Sequence, residues 1–236
     1  MNPNGPYPGR QLFVGMTMSG NPAVVYLVSG RSPASRERKA SPLDNGVIIG
    51  PLGNQPYDPL RHYTAVKYDN VSGILAVSNG IQTEAIFETY KLLFNTNSAP
   101  SGDFMEKLLD GAQAEPDSMH TPRIAGIITG TAAQQPIFIV GIKRHDMPAK
   151  AFRIEPASGT LTGVSVYKGG LENPEGFDPA AGLPKIEFKG KTAIELAEHL
   201  FEISKAAYNG DDIRVCAVAG ICSDDKHTWQ VAMRNR

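Results

Sequence analysis

Two apolar runs in this chain are continuous where a half-exposed strand would alternate. Ala23-Val24-Val25-Tyr26-Leu27-Val28 and Val215-Cys216-Ala217-Val218-Ala219-Gly220-Ile221-Cys222 offer nothing charged to solvent on either side. Successive strand side chains point to opposite faces, so strands of this kind must be covered on both. Neither run approaches the ~18 apolar residues that a membrane helix needs, and no membrane partner is expected. Further strands are predicted at 11–15, 47–49, 63–68, 74–78, 123–129, 136–144, 151–155, 160–167 and 229–233. Ser19-Gly20-Asn21-Pro22 marks the first hairpin turn. Helical spacing is confined to three places. Ile86, Tyr90, Leu93 and Phe94 recur in a helix starting near Thr83, a second helix covers 103–109, and a third covers 192–208. In the third, Thr192 and Glu195 fit a capping box, and Ile194, Leu196, Ala197, Leu200, Phe201 and Ile203 form an apolar face.

Strands in hairpin-like clusters with few helices predict an α+β fold, not regular βαβ alternation. Two mainly antiparallel sheets should stack on each other, with the helices outside. The 24 glycines and 18 prolines agree with so many turns. No linker divides the chain, so residues 1–236 are read as a single domain with a loose arm at 1–9.

Charge narrows the functions. Lysine and arginine total 23 against 24 acidic residues, a formal net charge of −1, which argues against a general nucleic-acid binder. The polar, Pro/Gly-rich 1–9 has no apolar signal core, and Cys216 and Cys222 form neither a disulfide framework nor a zinc pattern. They read as buried, inert thiols in a reducing, cytoplasmic compartment. Histidines 62, 120, 145, 199 and 227 are scattered, and no metal site is expected. Gly190-Lys191-Thr192 resembles the tail of a phosphate-binding loop. Lys185 stands where that pattern needs glycine, so the segment reads as a turn into a helix.

Four segments carry more polar function than packing requires. In Ser29-Gly30-Arg31-Ser32 with Arg36, two forked guanidiniums and backbone N–H groups can grip a phosphate; the plainer alternative is a solvated basic turn. In Val77-Ser78-Asn79-Gly80-Ile81-Gln82-Thr83, a strand ends in Asn-Gly and a helix starts. Asn79, Gly80 and Thr83 could meet an anion or an amide edge, or could form only a turn and an N-cap. Thr121-Pro122-Arg123 opens an apolar strand. Arg123 there is an anion or oxyanion ligand, or is simply salt-bridged to Asp117 or Glu115. Tyr63 begins another strand, where a phenol reaches a cleft or half-buries as packing. His120 adjoins the third segment.

Tyr7-Pro8-Gly9-Arg10, Val28-Ser29-Gly30-Arg31-Ser32, Val77-Ser78-Asn79-Gly80 and Thr121-Pro122-Arg123-Ile124-Ala125 together, in that order, resemble the archaeal-type IMP cyclohydrolase family. The ending Trp229-Gln230-Val231-Ala232-Met233-Arg234 is also similar to that family's closing strand. The resemblance implies a four-layer αββα sandwich like that of the N-terminal-nucleophile hydrolases. It also implies a purine nucleotide substrate, no cofactor, a homo-oligomer, and closure of a formamido carboxamide ribonucleotide to IMP with loss of water. The chain departs from shorter members in its N-terminal arm and in the loop at 169–184. It begins with Met1 and has no obvious processed nucleophile, so autoprocessing is not expected. On this reading Arg31, Ser32, Arg36, Asn79, Gly80, Thr83 and Thr121 bind substrate. Tyr63 handles a proton and Arg123 stabilises an oxyanion, with Asp117 or Glu115 orienting that arginine. A catalytically silent nucleotide-binding protein and a hydrolase of another small amide are the competing readings.

Overall fold

The structure, a computed structural model, describes residues 7–129, 135–223 and 228–236. Residues 1–6 of the arm and His227 lie outside the described residues.

Two large antiparallel sheets form the body. The chain starts with the hairpin β1 (Gln11–Met16) and β2 (Pro22–Ser29), then a one-turn helix α1 (Pro33–Arg36). A seven-stranded meander follows in strict chain order: β3 (Arg38–Leu43), β4 (Gly46–Pro51), β5 (Tyr63–Asp69), β6 (Ile74–Ser78), β7 (Arg123–Thr129), β8 (Ile137–Lys143) and β9 (Lys150–Ile154). Between β6 and β7 the chain leaves to form helices α2 (Gln82–Asn95) and α3 (Gly102–Ala112). It returns through β10 (Thr160–Ser165), the short ladder β11 (Tyr167–Lys168) with β12 (Glu175–Gly176), and β13 (Lys185–Glu187). Then come helix α4 (Ala193–Ile203), the small hairpin β14 (Ala207–Tyr208) and β15 (Asp211–Asp212), β16 (Arg214–Cys222) and β17 (Trp229–Asn235). The second sheet has the order β13-β10-β1-β2-β16-β17.

The doubly apolar strands sit where their composition demands. From β2, Val24, Tyr26 and Val28 face the other sheet and meet Tyr63, Leu75, Val77 and Ile124. Its alternate residues Ala23, Val25 and Leu27 face outward onto Leu196, Leu200 and Phe201 of α4. On the far side, Ile74, Ala76, Ala125 and Ile127 pack under Ile86, Phe87 and Tyr90 of α2 and Met105 and Leu109 of α3. The layers thus run helix, sheet, sheet, helix. Polar ties also cross between the sheets: the Asn235 side chain accepts from the Ala40 N–H at 2.8 Å and donates to its carbonyl at 3.1 Å. Cys216 is fully buried, and burial pushes its thiol up to about 12, as an inert core cysteine requires.

Four expectations need correction. Arg38–Leu43, where no strand is predicted, is a strand; it lies at a sheet edge, where polar residues and Pro42 are tolerated. Tyr7, Pro8 and Gly9 are buried, not loose: Gly9 at φ +68° turns the chain so that Tyr7 stacks on Tyr167 at 5.6 Å. Ile194 is 67% exposed, because the capping box places it on the outer side of the first turn of α4, away from Leu196 and Leu200. Phe94 of α2 is likewise exposed.

The two α4 positions differ enough to test. Leu200→Ala should destabilise by about 2–5 kcal/mol in chemical denaturation. Ile194→Ala should stay within about 0.5 kcal/mol of the parent. Equal effects would contradict the facing of α4.

Candidate active site

Both sheets open at one end onto a cleft of about 610 Å³. β2 ends there at Ser29, β3 begins there at Arg38, and the segments leading into β1 and β7 bring Arg10 and Thr121 to its wall. The lining holds five arginines, Arg10, Arg31, Arg36, Arg38 and Arg61, against Asp58, Glu115, Asp117 and Asp211.

At the deep end a single carboxylate organises the charges. Glu115, 2% exposed, takes the Arg10 guanidinium at 3.2 Å and the Arg123 guanidinium at 3.2 Å. Asn79 adds a longer contact at 3.4 Å and braces the corner through its remaining atoms. Its Nδ2 donates to the Pro122 carbonyl at 2.8 Å, and its Oδ1 accepts from the Ile124 N–H at 2.8 Å and from Gln82 at 3.1 Å. Gly80 makes room: a Cβ there would lie 2.0 Å from Nη1 of Arg123. Burial pushes the Glu115 carboxyl up from its ordinary 4.5, while Arg10 and Arg123 pull the other way. Burial likewise lowers Arg123, against the pull of Glu115.

Nearer the mouth, Asp117 accepts from the Thr121 N–H at 2.8 Å and from its hydroxyl at 2.6 Å. Thr121 also meets the Tyr167 phenol at 2.6 Å. Arg31 lies 5.2 Å from the Tyr7 ring centroid, and its Nη1 donates to the Leu171 and Glu172 carbonyls at 2.5 and 2.9 Å. The loop at 169–184 therefore reaches across the mouth and rests on Arg31. Arg36 is ion-paired with Asp211 at 2.7 Å, and Arg61 with Asp58 at 2.7 Å.

Tyr63 lies behind this wall, 2% exposed, its hydroxyl 2.7 Å from that of Tyr26. Burial, then the neighbouring Tyr63, hold Tyr26 well above the ordinary phenol range, so Tyr26 stays protonated near neutrality.

Of the residues singled out by sequence, Arg31, Ser32, Arg36, Asp117 and Thr121 line the cleft. Asn79, Gly80, Thr83, Tyr63 and Arg123 do not. They are buried behind its floor, where Asn79 and Gly80 seat Arg123, and Thr83 bonds Ser78 at 2.6 Å instead of capping its helix. Between the two acids expected to hold Arg123, the partner is Glu115; Asp117 orders Thr121. His120 is exposed, stacked on His145 at 4.8 Å, and is no part of the lining. Arg10 and Arg38 are cleft residues that the site reading left out. Arg10 stands in the Tyr7-Pro8-Gly9-Arg10 segment already distinctive in the sequence, whereas Arg38 is indistinguishable there from its basic neighbours.

A concave, arginine-lined cleft at the open end of two stacked antiparallel sheets is a pocket of the kind in which enzymes hold small molecules. Residues 7–226 match the model of the family described as IMP cyclohydrolase-like protein, and the chain belongs to that family. Among its relatives is an IMP cyclohydrolase of Methanocaldococcus jannaschii, 30% identical over 92% of this chain and 95% of that protein. One of Methanococcus maripaludis (strain C7) is 31% identical over 83% of this chain and 88% of its own length. One of Methanothrix thermoacetophila is 30% identical, covering 87% and 94%.

Two measurements test the deep end of the cleft. Ionised Glu115 is the form that holds Arg10 and Arg123, so activity should fall as pH drops through a midpoint above glutamate's ordinary 4.5. A rate that stays level down to that pH would show that the carboxylate does not matter. Gly80→Ala should displace Arg123, costing about 1–3 kcal/mol of stability and lowering turnover; an unchanged protein would contradict the tight seat.

Proposed function

We propose that this chain closes the purine ring of 5-formamidoimidazole-4-carboxamide ribonucleotide, giving IMP and water. The observation that carries the site assignment is the cleft itself, with an arginine–serine wall at one end and the Arg10–Glu115 pair at the other, in a member of a cyclohydrolase family. The phosphate lies against Arg31, Ser32 and Arg36. The heterocycle points inward to Arg10, Asp117 and Thr121.

The reaction needs a carboxamide nitrogen, a poor nucleophile with a delocalised lone pair, to attack the formyl carbon of the same molecule. Holding the two groups in contact supplies much of the rate. As the carbon becomes tetrahedral, negative charge grows on the formyl oxygen. Arg10 meets that charge directly, and Arg123 acts through Glu115 and from behind the floor. The oxygen leaves as water by taking two protons, one from the attacking carboxamide nitrogen and one that we assign to Tyr63. Tyr63 acts from behind the cleft floor and regains its proton from the formamide N–H as the ring C=N bond forms. Tyr26, kept protonated by burial, donates to the Tyr63 oxygen as Tyr63 gives its proton away. We also read the chain as one domain and its layer order as the N-terminal-nucleophile-hydrolase-like sandwich. The unbroken core between the sheets and the helices outside them support both readings.

Purified protein given the formylated ribonucleotide should develop the absorbance of a hypoxanthine ring; no product would refute the assignment. Tyr63→Phe should lower turnover about 10²–10⁴-fold while sparing substrate affinity and folding. Wild-type turnover in that variant would leave Tyr63 as packing.

A further inference from the structure

Four of the five cleft arginines are already engaged in ways that limit them. Arg10, Arg36 and Arg61 each pair with a carboxylate, and Arg31 spends Nη1 on two loop carbonyls and Nη2 on the Met119 sulfur. Arg38 differs. It is 5% exposed and lines the cleft, yet it has no carboxylate partner among the described residues. Its Nε donates to the Ser35 carbonyl at 2.8 Å and its Nη1 to the Arg61 carbonyl at 3.2 Å. These two neutral acceptors fix the plane of the guanidinium. Nη2 has no hydrogen-bond partner among the described residues.

A buried cation without a counter-ion is costly, and an anion in the cleft would relieve that cost. The surroundings specify which anion. Asp211 and Asp58 neutralise Arg36 and Arg61, so Arg31 and Arg38 are left as two positive charges with no ion pair among the described residues, joined to Arg36 and Arg61 through backbone carbonyls. A phosphate monoester carries close to two negative charges at neutral pH. At the deep end Arg10 is already spent on Glu115, so that end suits an uncharged heterocycle.

We propose that Arg38 is the principal anchor for the substrate's 5′-phosphate, and that it makes the cleft select nucleotides over nucleosides. This rests on the nucleotide reading above but assigns a residue and a specificity that reading does not contain. Arg38 is pre-oriented by two carbonyls, so phosphate binding need not order a mobile side chain.

The test is calorimetric titration of the full chain with IMP and, separately, with inosine, which lacks the phosphate. Wild type should bind IMP far more tightly. Arg38→Gln should weaken IMP about 10–150-fold, the worth of a charged hydrogen bond, and leave inosine within about threefold. Arg38→Lys keeps the charge but loses the fork, so its IMP-to-inosine preference should fall several-fold. That variant decides the matter if the glutamine variant does not fold. Equal weakening of both ligands would mean a structural role, and an unchanged preference would place the phosphate elsewhere; either overturns the proposal. Wild type that binds both ligands equally yet still forms IMP would overturn this proposal and leave the cyclohydrolase reading intact. Wild type that neither binds IMP nor forms it would overturn both.

Discussion

Glu115 ties together two distant parts of the chain with one buried carboxylate. Arg10 enters the sheet of β1 and β2, Arg123 begins a strand of the meander, and both reach the same buried carboxylate at 3.2 Å. An ionised carboxylate in that position would be prohibitively costly alone, and so would either guanidinium. Together they are tolerated because each leaves the others fewer unmet charges. The result fixes the separation of the two sheets at the end where the cleft opens. The apolar core sets the distance elsewhere, through Val24, Tyr26, Leu75 and Val77, but an apolar core resists sliding far less specifically than a buried ion pair does.

That arrangement gives residues that do not touch the cleft a part in shaping it. Asn79 uses both atoms of its amide within the protein, and Gly80 lacks the Cβ that would unseat Arg123. Tyr26 keeps its proton and faces Tyr63. Each holds another group at a fixed place. Charge is graded along the cleft as well. At the deep end Arg10 and Arg123 are both spent on Glu115, whereas Arg31 and Arg38 make no ion pair among the described residues, a gradient that would favour one orientation of an elongated anionic molecule.

The fold was legible where one physical demand dominated a segment. Continuous apolar strands require cover on both faces, and that requirement alone predicts stacked sheets with helices outside. It failed at β3, because an edge strand with one solvent-facing side can be written in arginine, lysine, serine and proline. It failed at Ile194, where an apolar residue at helical spacing sits in the exposed first turn, and spacing carries no information about which turn reaches the sheet. In the site, sequence identified polar residues beside strand ends and could not tell the cleft wall from the layer behind it. Arg31, Ser32, Arg36, Asp117 and Thr121 fell on the wall; Asn79, Gly80, Thr83, Tyr63 and Arg123 fell behind it. Whether a strand-end side chain faces the cleft or the core depends on register across the sheet, which only the pairing of distant strands decides.

The division between wall and support also bears on the chemistry. Intramolecular closure asks for little from the protein in the way of bond-making groups. It asks for a substrate held in one conformation and for charge already in place when the formyl oxygen becomes anionic. Donors free to rotate would spend that advantage on reorganisation, whereas donors locked by a buried network do not. Arg10 is locked by Glu115, Glu115 is shared with Arg123, and Arg123 is seated by Gly80 and the Asn79 brace. On the proposed mechanism the residues buried behind the cleft would be as much a condition for turnover as those that line it, since each removes a rotation from the guanidinium assigned to meet the developing charge.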